Sequence, residues 1–288
     1  MISPDSAQVL LSPWALGLFG LCIGSFLNVL IHRLPVMMER AWKREGAELL
    51  GVDVPADVAD ASELGLWRPR SRCPSCGHAI RAGENIPVLG WLMLRGRCSA
   101  CRTPISWRYP LVELATGVAF AALAWRFGPQ PVVLAWCAFV AVLIGLSGID
   151  WDTTLLPDSL TLGLLWGGLV AAALGWTLPL STSLWGAVFG YLSLWSVYWF
   201  FKLATGKEGM GAGDFKLLAA LGAWLGWQML LPIVLGASLI GAIVGIALKV
   251  GGGLREGRYV PFGPFLAGAG MVVLFAGAER VSDWFGWV

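Results

Sequence analysis

The sequence predicts an all-α membrane protein, a helical bundle of about eight transmembrane helices carrying one small soluble loop domain, and three observations predict it. Of 288 residues, 57% are hydrophobic and 13% charged, against about 25% charged in soluble domains; the mean hydropathy is +0.71. Apolar stretches recur along the whole chain, and a hydrocarbon core about 30 Å thick takes roughly 20 such residues per helical crossing. The alternating strands of a membrane β-barrel are excluded by long unbroken apolar runs such as 159–176. The first run, 10–31, outlasts a signal h-region and no A-x-A pattern follows it, so it reads as a retained first span.

Further spans are expected at 109–127, 132–149, 159–177, 184–204, 215–227, 231–249 and 261–278. The stretch 215–227 is short, and 215–249 has an alternative reading as one helix kinked near Gln228 and Pro232. Charge distribution decides between them. Twelve of the 20 Lys and Arg lie from Arg33 to Arg108, and Lys202, Lys207, Lys216, Lys249, Arg255 and Arg258 flank later connections. With eight spans and an outside N-terminus, all of these face the cytoplasm and only Arg126 and Arg280 lie outside, as the positive-inside rule favours. The domains follow: a first span in 1–32, a cytoplasmic loop domain in 33–108 and a transmembrane core in 109–288. Within the loop domain, "MMERAWKREGAELLG" has helical spacing of Met37, Ala41, Leu49 and Leu50. A helix lying on the membrane surface and a solvated connector helix fit it equally.

Cys73 and Cys76 in "CPSCGH" and Cys98 and Cys101 in "CSAC" give two C-x2-C pairs separated by 21 residues. Four thiolates on two tight turns can surround one tetrahedral Zn²⁺, filling every position and leaving a structural site. Redox dithiols or disulfides are the competing reading; a cytoplasmic location disfavours stable disulfides. The metal staples a loop too small to hold a core of its own. His78 is a spare ligand expected to face solvent, and Cys22 and Cys137 read as small apolar residues within spans.

Acidic groups at membrane depth are costly and mark functional sites. Glu113, Asp150, Asp152, Asp158 and Asp214 are the candidates. Asp150 closes the third span and Asp214 opens the sixth, so both fall at the cytoplasmic boundary. Asp214 follows "GMGAG", where Gly211 and Gly213 can take positive φ and allow another backbone close approach. Two aspartates held together cannot both ionise, so one keeps its proton. The charged one then takes a proton from water while the neutral one polarises a scissile carbonyl. Against this, an isolated G-x-G-D also reads as a loop with Asp214 capping a helix. Asp158, after Pro157, reads as an N-cap, Asp152 as water-facing though still a rival to Asp150, and Glu113 as either a polar anchor or a site residue.

Other chemistries lack residues. With two histidines and no H-E-x-x-H, zinc proteolysis is disfavoured; there is no G-x-S-x-G elbow and no nucleotide-binding glycine loop, and no nucleic-acid partner is expected. Proton-coupled transport would ask for inverted repeats and broken helices near the midplane, which the sequence does not display. A zinc-bearing membrane scaffold without chemistry is the remaining alternative.

Taken together, "GSFLNVLIHRLP" (24–35), the cysteine-bearing stretch 73–117, "IDWDTTLLPDSLTL" (149–162) and "GMGAGDFKLLAALGAWLGW" (209–227) resemble the type IV prepilin peptidase family of bacterial inner-membrane aspartic proteases. The resemblance spans nearly the whole chain. It implies that Asp150 and Asp214 are the catalytic pair and that the substrates are type IV prepilins and type II secretion pseudopilins, cut after a short basic leader at the cytoplasmic membrane face. The tetracysteine branch of the family also methylates the new N-terminus with S-adenosylmethionine. No glycine-rich methyltransferase fingerprint places the donor, and the loop 73–108 is the segment to test.

Overall fold

The computed structural model describes residues 8–54, 58, 64–251 and 260–287; Arg255 and Arg258 lie outside them. Every named element among these residues is helical, and the extended backbone pairs only at two isolated antiparallel bridges, Arg72 with Ala79 and Arg97 with Pro104. The chain forms two compact units, 1–133 and 134–288.

The first unit is organised by α1 (Pro13–Leu50), whose start is capped by the Ser12 hydroxyl accepting the Ala15 N–H at 3.3 Å. At 1.5 Å per residue its 38 residues extend about 57 Å, well beyond a hydrocarbon core. The segment from Met37 to Leu50 is therefore neither a surface helix nor a separate connector. It continues the first span out of the membrane, through Pro35, and stops where Gly51 takes φ 64. A short helix α2 (Leu89–Met93) and then α3 (Arg108–Phe127) follow. Small residues let α3 pack against α1 almost backbone to backbone, the mode by which helices associate in lipid. A Cβ on Gly24 would lie 2.6 Å from the Glu113 Cα, and one on Gly20 would lie 2.8 Å from the Thr116 carbonyl. Asn28 donates to the Tyr109 carbonyl at 3.0 Å, and Arg33 reaches the carbonyls of Gly65 and Pro69, each at 2.8 Å, tying the intervening loop back to α1.

The second unit contains α4 (Val132–Thr153) from its third residue onward, α5 (Asp158–Ala173), α6 (Leu180–Thr205), α7 (Ala212–Leu225), α8 (Leu230–Val250), α9 (Gly263–Ala276) and α10 (Ala278–Phe285). Its centre is α7. Apart from Lys216, every residue from Asp214 to Leu225 is buried, so this helix is apolar all round because protein surrounds it. Gly186 and Gly222 bring α6 and α7 into direct backbone contact, and Gly190 rests on Leu218 and Ala219. Trp224 fills the space left by Gly168 and donates to the Leu164 carbonyl of α5 at 2.8 Å. The rings of Trp136 and Phe139 from α4 meet Trp224 on another side. Ser183, fully buried, donates to the Ala223 carbonyl at 2.6 Å, so its hydroxyl is satisfied inside the apolar seam.

All eight apolar stretches are helical, but fewer than eight of these helices are long enough to span a bilayer. Five helices have the length and hydropathy to cross a bilayer alone, and the pair α9 and α10, bent by 104°, raises this to six. The shortfall from eight lies in α5 and α7, of 16 and 14 residues. At 14 residues α7 extends about 21 Å, and a helix sheathed by its neighbours need not match the lipid thickness. The single kinked helix over 215–249 does not form. Gly226 at φ 89 ends α7, and a 3-10 turn at Trp227–Met229 leads into α8.

Candidate active site and metal centre

Asp150 sits in the last turn of α4, which Thr154 terminates at φ 55. Its side chain is 4% exposed, and its carboxylate accepts the Gly263 N–H at 3.0 Å. Gly263 is the first residue of α9, so the carboxylate occupies a helix N-terminus, where free N–H groups and the helix dipole favour negative charge. Asp214 is the third residue of α7, 8% exposed, with its own N–H bonded to the Gly211 carbonyl at 3.2 Å. Asp150 and Asp214 thus stand at the end of α4 and the start of α7, both buried in the second unit. Leu156 is wedged beside Gly213 and Gly263: positions for a Cβ on these glycines fall 2.7 Å and 3.2 Å from its side chain.

Several expectations change in this geometry. Gly211 is the N-cap of α7 at φ −80, and Gly213 lies inside the helix, so neither uses the left-handed region. Close approach is what Gly213 provides, against Leu156, while Gly209 packs on the Phe201 ring. Asp214 caps nothing, since Gly211 holds that place. Asp158 is not the N-cap of α5 either: Pro157 occupies the cap, and both Asp158 oxygens take the Lys216 ammonium, at 2.6 and 2.7 Å, joining the starts of α5 and α7. Asp152 is exposed. Gly263 and Leu156 were missed in the sequence. The available signal was a glycine set between Pro261 and Pro264 at the head of an apolar run, a helix start in which Pro takes the first turn.

In the first unit the two cysteine pairs form matching turns. The Cys73 N–H donates to the His78 carbonyl and the Gly77 N–H to the Cys73 carbonyl; Cys98, Thr103 and Arg102 repeat the pattern. Gly77 at φ 71 has its counterpart in Arg102 at φ 61. All four sulfurs lie within 4.8 Å of one another and can hold a metal ion. The cross-pair separations, 3.7 Å for Cys73–Cys101 and 4.0 Å for Cys76–Cys98, are far beyond a disulfide bond of about 2.05 Å, and all four cysteines are free. His78 is not simply solvent-facing. It is partly buried, and its Nε2 lies 3.2 Å from the Ser99 hydroxyl and 3.3 Å from Glu84. Backbone donation from Arg81, then Ser99 and His78, holds the Glu84 carboxyl down to about 2. Cys22 is exposed on α1 and Cys137 is buried in α4.

A helical membrane protein with two buried aspartates at helix ends and a separate four-cysteine centre is thereby defined. Residues 18–127 match the Bacterial Peptidase A24 N-terminal domain, and residues 137–246 match the Type IV leader peptidase family. Proteins named prepilin leader peptidase/N-methyltransferase are similar over nearly their full length. The Stutzerimonas stutzeri protein is 53% identical over 92% of this chain and 91% of its own. That of Aeromonas salmonicida (strain A449) is 52% identical over 93% and 91%, and that of Pseudomonas aeruginosa 52% over 91% and 89%. The chain belongs to the type IV leader peptidase family. No solved structure matches it.

Proposed function

We propose that this chain is a membrane aspartic endopeptidase that removes the basic leader from type IV prepilins and type II secretion pseudopilins, with Asp150 and Asp214 as its catalytic pair, and that it N-methylates the residue so exposed. The observation carrying the proteolytic part is the placement of two buried carboxylates, one closing α4 and one opening α7, on either side of Leu156, which packs on Gly213 and on Gly263. One carboxylate takes a proton from water, which attacks the scissile carbonyl. The other, kept as the protonated acid, donates a hydrogen bond to the carbonyl oxygen as charge develops there. The Gly263 N–H fixes one oxygen of Asp150, leaving the other for this chemistry. The prepilin is an apolar helix behind a basic leader, and a pair at the ends of membrane helices receives it from the lipid.

The orientation that suits this reading has the N-terminus in the periplasm and residues 33–108 and the aspartates on the cytoplasmic side of the inner membrane. The metal is Zn²⁺. Tetrahedral zinc with Zn–S bonds of about 2.3 Å spaces its sulfurs about 3.8 Å apart, and the separations of 3.7 and 4.0 Å fit that spacing. S-adenosylmethionine supplies an electrophilic methyl group on a sulfonium cation.

The test is prepilin cleavage in detergent by the parent, Asp150→Asn and Asp214→Asn proteins. Each substitution is expected to cut the rate by about 10²- to 10⁴-fold, the range of positioned acid–base groups, while the protein still inserts. Cleavage at the parent rate by either variant would refute the assignment.

A further inference from the structure

Among the described residues Glu113 is the buried acid of the first unit, and neither the aspartate pair nor the cysteine centre uses it. Its Oε2 accepts the Val88 N–H at 2.6 Å, and the Ser25 hydroxyl of α1 donates to the same carboxylate. Val88 stands at φ 61, ψ −50, a region a β-branched residue enters only under constraint. The Leu89 N–H closes onto the Pro87 carbonyl at 2.6 Å, making the rare, strained form of three-residue turn. The next residue, Gly90, is packed against the Glu84 carbonyl, and Trp91 donates to the Ile105 carbonyl at 3.1 Å. On the other side Gly24 presses on the Glu113 backbone, holding this part of α3 against α1. A strained turn, placed between the two cysteine pairs, is thus held by a buried acid whose donors here are both neutral. Strain of this kind persists where the surroundings over-determine it, and it concentrates at functional sites.

We propose that Glu113 is a positioning residue for methyl transfer: by clasping Val88 it sets the segment between the cysteine pairs to receive the acceptor amine and the sulfonium donor. This rests on the two-activity reading above. The second unit holds both aspartates and the peptidase match, and the first unit, with its own family match, has chemistry left unassigned. In the step itself the amine gives one proton to water and its nitrogen bonds the methyl carbon. The carbon–sulfur bond of the donor breaks with its electron pair left on sulfur.

The full-length protein, in detergent with a prepilin and S-adenosylmethionine, is tested as parent, Glu113→Ala and Glu113→Gln. Mass spectrometry of the pilin N-terminus reads cleavage and methylation together. Glu113→Ala is expected to lower methylation by about 10²-fold, as displacement of a positioning element does, with cleavage at the parent rate. Glu113→Gln, whose amide oxygen still accepts the Val88 N–H, is expected to restore methylation. Hydrogen exchange at 86–92 should quicken in the alanine variant and return in the glutamine variant, with bound metal unchanged. Undiminished methylation in Glu113→Ala, loss of cleavage in parallel with methylation, or a glutamine variant as impaired as alanine would each overturn the proposal. A parent that cleaves but transfers no methyl group would instead sink the two-activity reading, and the role of Glu113 with it.

Discussion

The backbone N–H of Gly263 reaches the Asp150 carboxylate at 3.0 Å, and the space between α9 and that carboxylate admits no side chain. A Cβ built on Gly263 would stand 2.5 Å from the Asp150 Oδ2 and 3.2 Å from Leu156. Substituting Gly263→Ala is therefore expected to push Asp150 out of register with Asp214. On the catalytic role proposed for Asp150, a displacement near 1 Å costs about 10²-fold in rate. Prepilin cleavage by purified Gly263→Ala protein measures this, with membrane insertion as the control. Cleavage at the parent rate would show that the carboxylate tolerates the shift.

Gly186 and Gly222 meet through their backbones where α6 crosses α7. Gly222→Ala is expected to destabilise the protein by about 1–3 kcal/mol, the cost of overpacking a filled seam. Gly245 in α8 has nothing within 4 Å of its missing Cβ, so Gly245→Ala should be neutral or slightly stabilising. Thermal unfolding of both variants in one detergent tests the contrast, and equal midpoints would contradict it.

Glu208 pins the connection between α6 and α7. It accepts from Lys202 at 2.8 Å, and the Lys202 ammonium also lies 5.4 and 5.5 Å from the Tyr198 and Trp199 ring centroids. Hydrogen bonding from Lys202 holds the Glu208 carboxyl below its ordinary 4.5. A depressed carboxylate stabilises above its unfolded value and loses that contribution as pH falls through the folded one. The clip is thus complete at neutral pH and fades below 4.5. Glu208→Gln should raise the KM for prepilin at pH 7 with kcat nearly unchanged, and an unchanged KM would show that the loop needs no pin.

Removing the metal should loosen the cysteine loop and leave the helices intact. Cys98→Ser is expected to abolish the single equivalent of bound metal and expose 73–105 to protease, because the two turns share no core apart from the ion. Metal analysis combined with limited proteolysis reads both effects. A metal-free loop that resists protease would mean that the contacts of Trp91, Glu84 and Val88 suffice to hold it.

Much of this protein was legible along the chain. Apolar runs separated by charge marked eight of the helices, all but the short α2 and α10, because a membrane helix declares itself by composition within one local window. The C-x2-C pairs announced a four-sulfur centre, since each turn is local and only the meeting of the two is not. The aspartates stood out as acids set at the ends of apolar segments. The reach of α1 was less visible: nothing in Met37–Leu50 by itself reveals that the helix runs on through Pro35, which merely gives up a hydrogen bond that the flanking turns survive.

What the linear order determined was which residues are helical, which carry metal-binding sulfur and which acids sit at membrane depth, all properties of short stretches. Tertiary packing alone decided the rest. It put α7 at the centre, where surrounding helices remove the need to span the lipid. It brought Gly263, 113 residues beyond Asp150 in the chain, onto that carboxylate, and it placed Glu113 beneath Val88. Such contacts join positions far apart in the chain, and a glycine's role in them is space it leaves empty, which only its neighbours define.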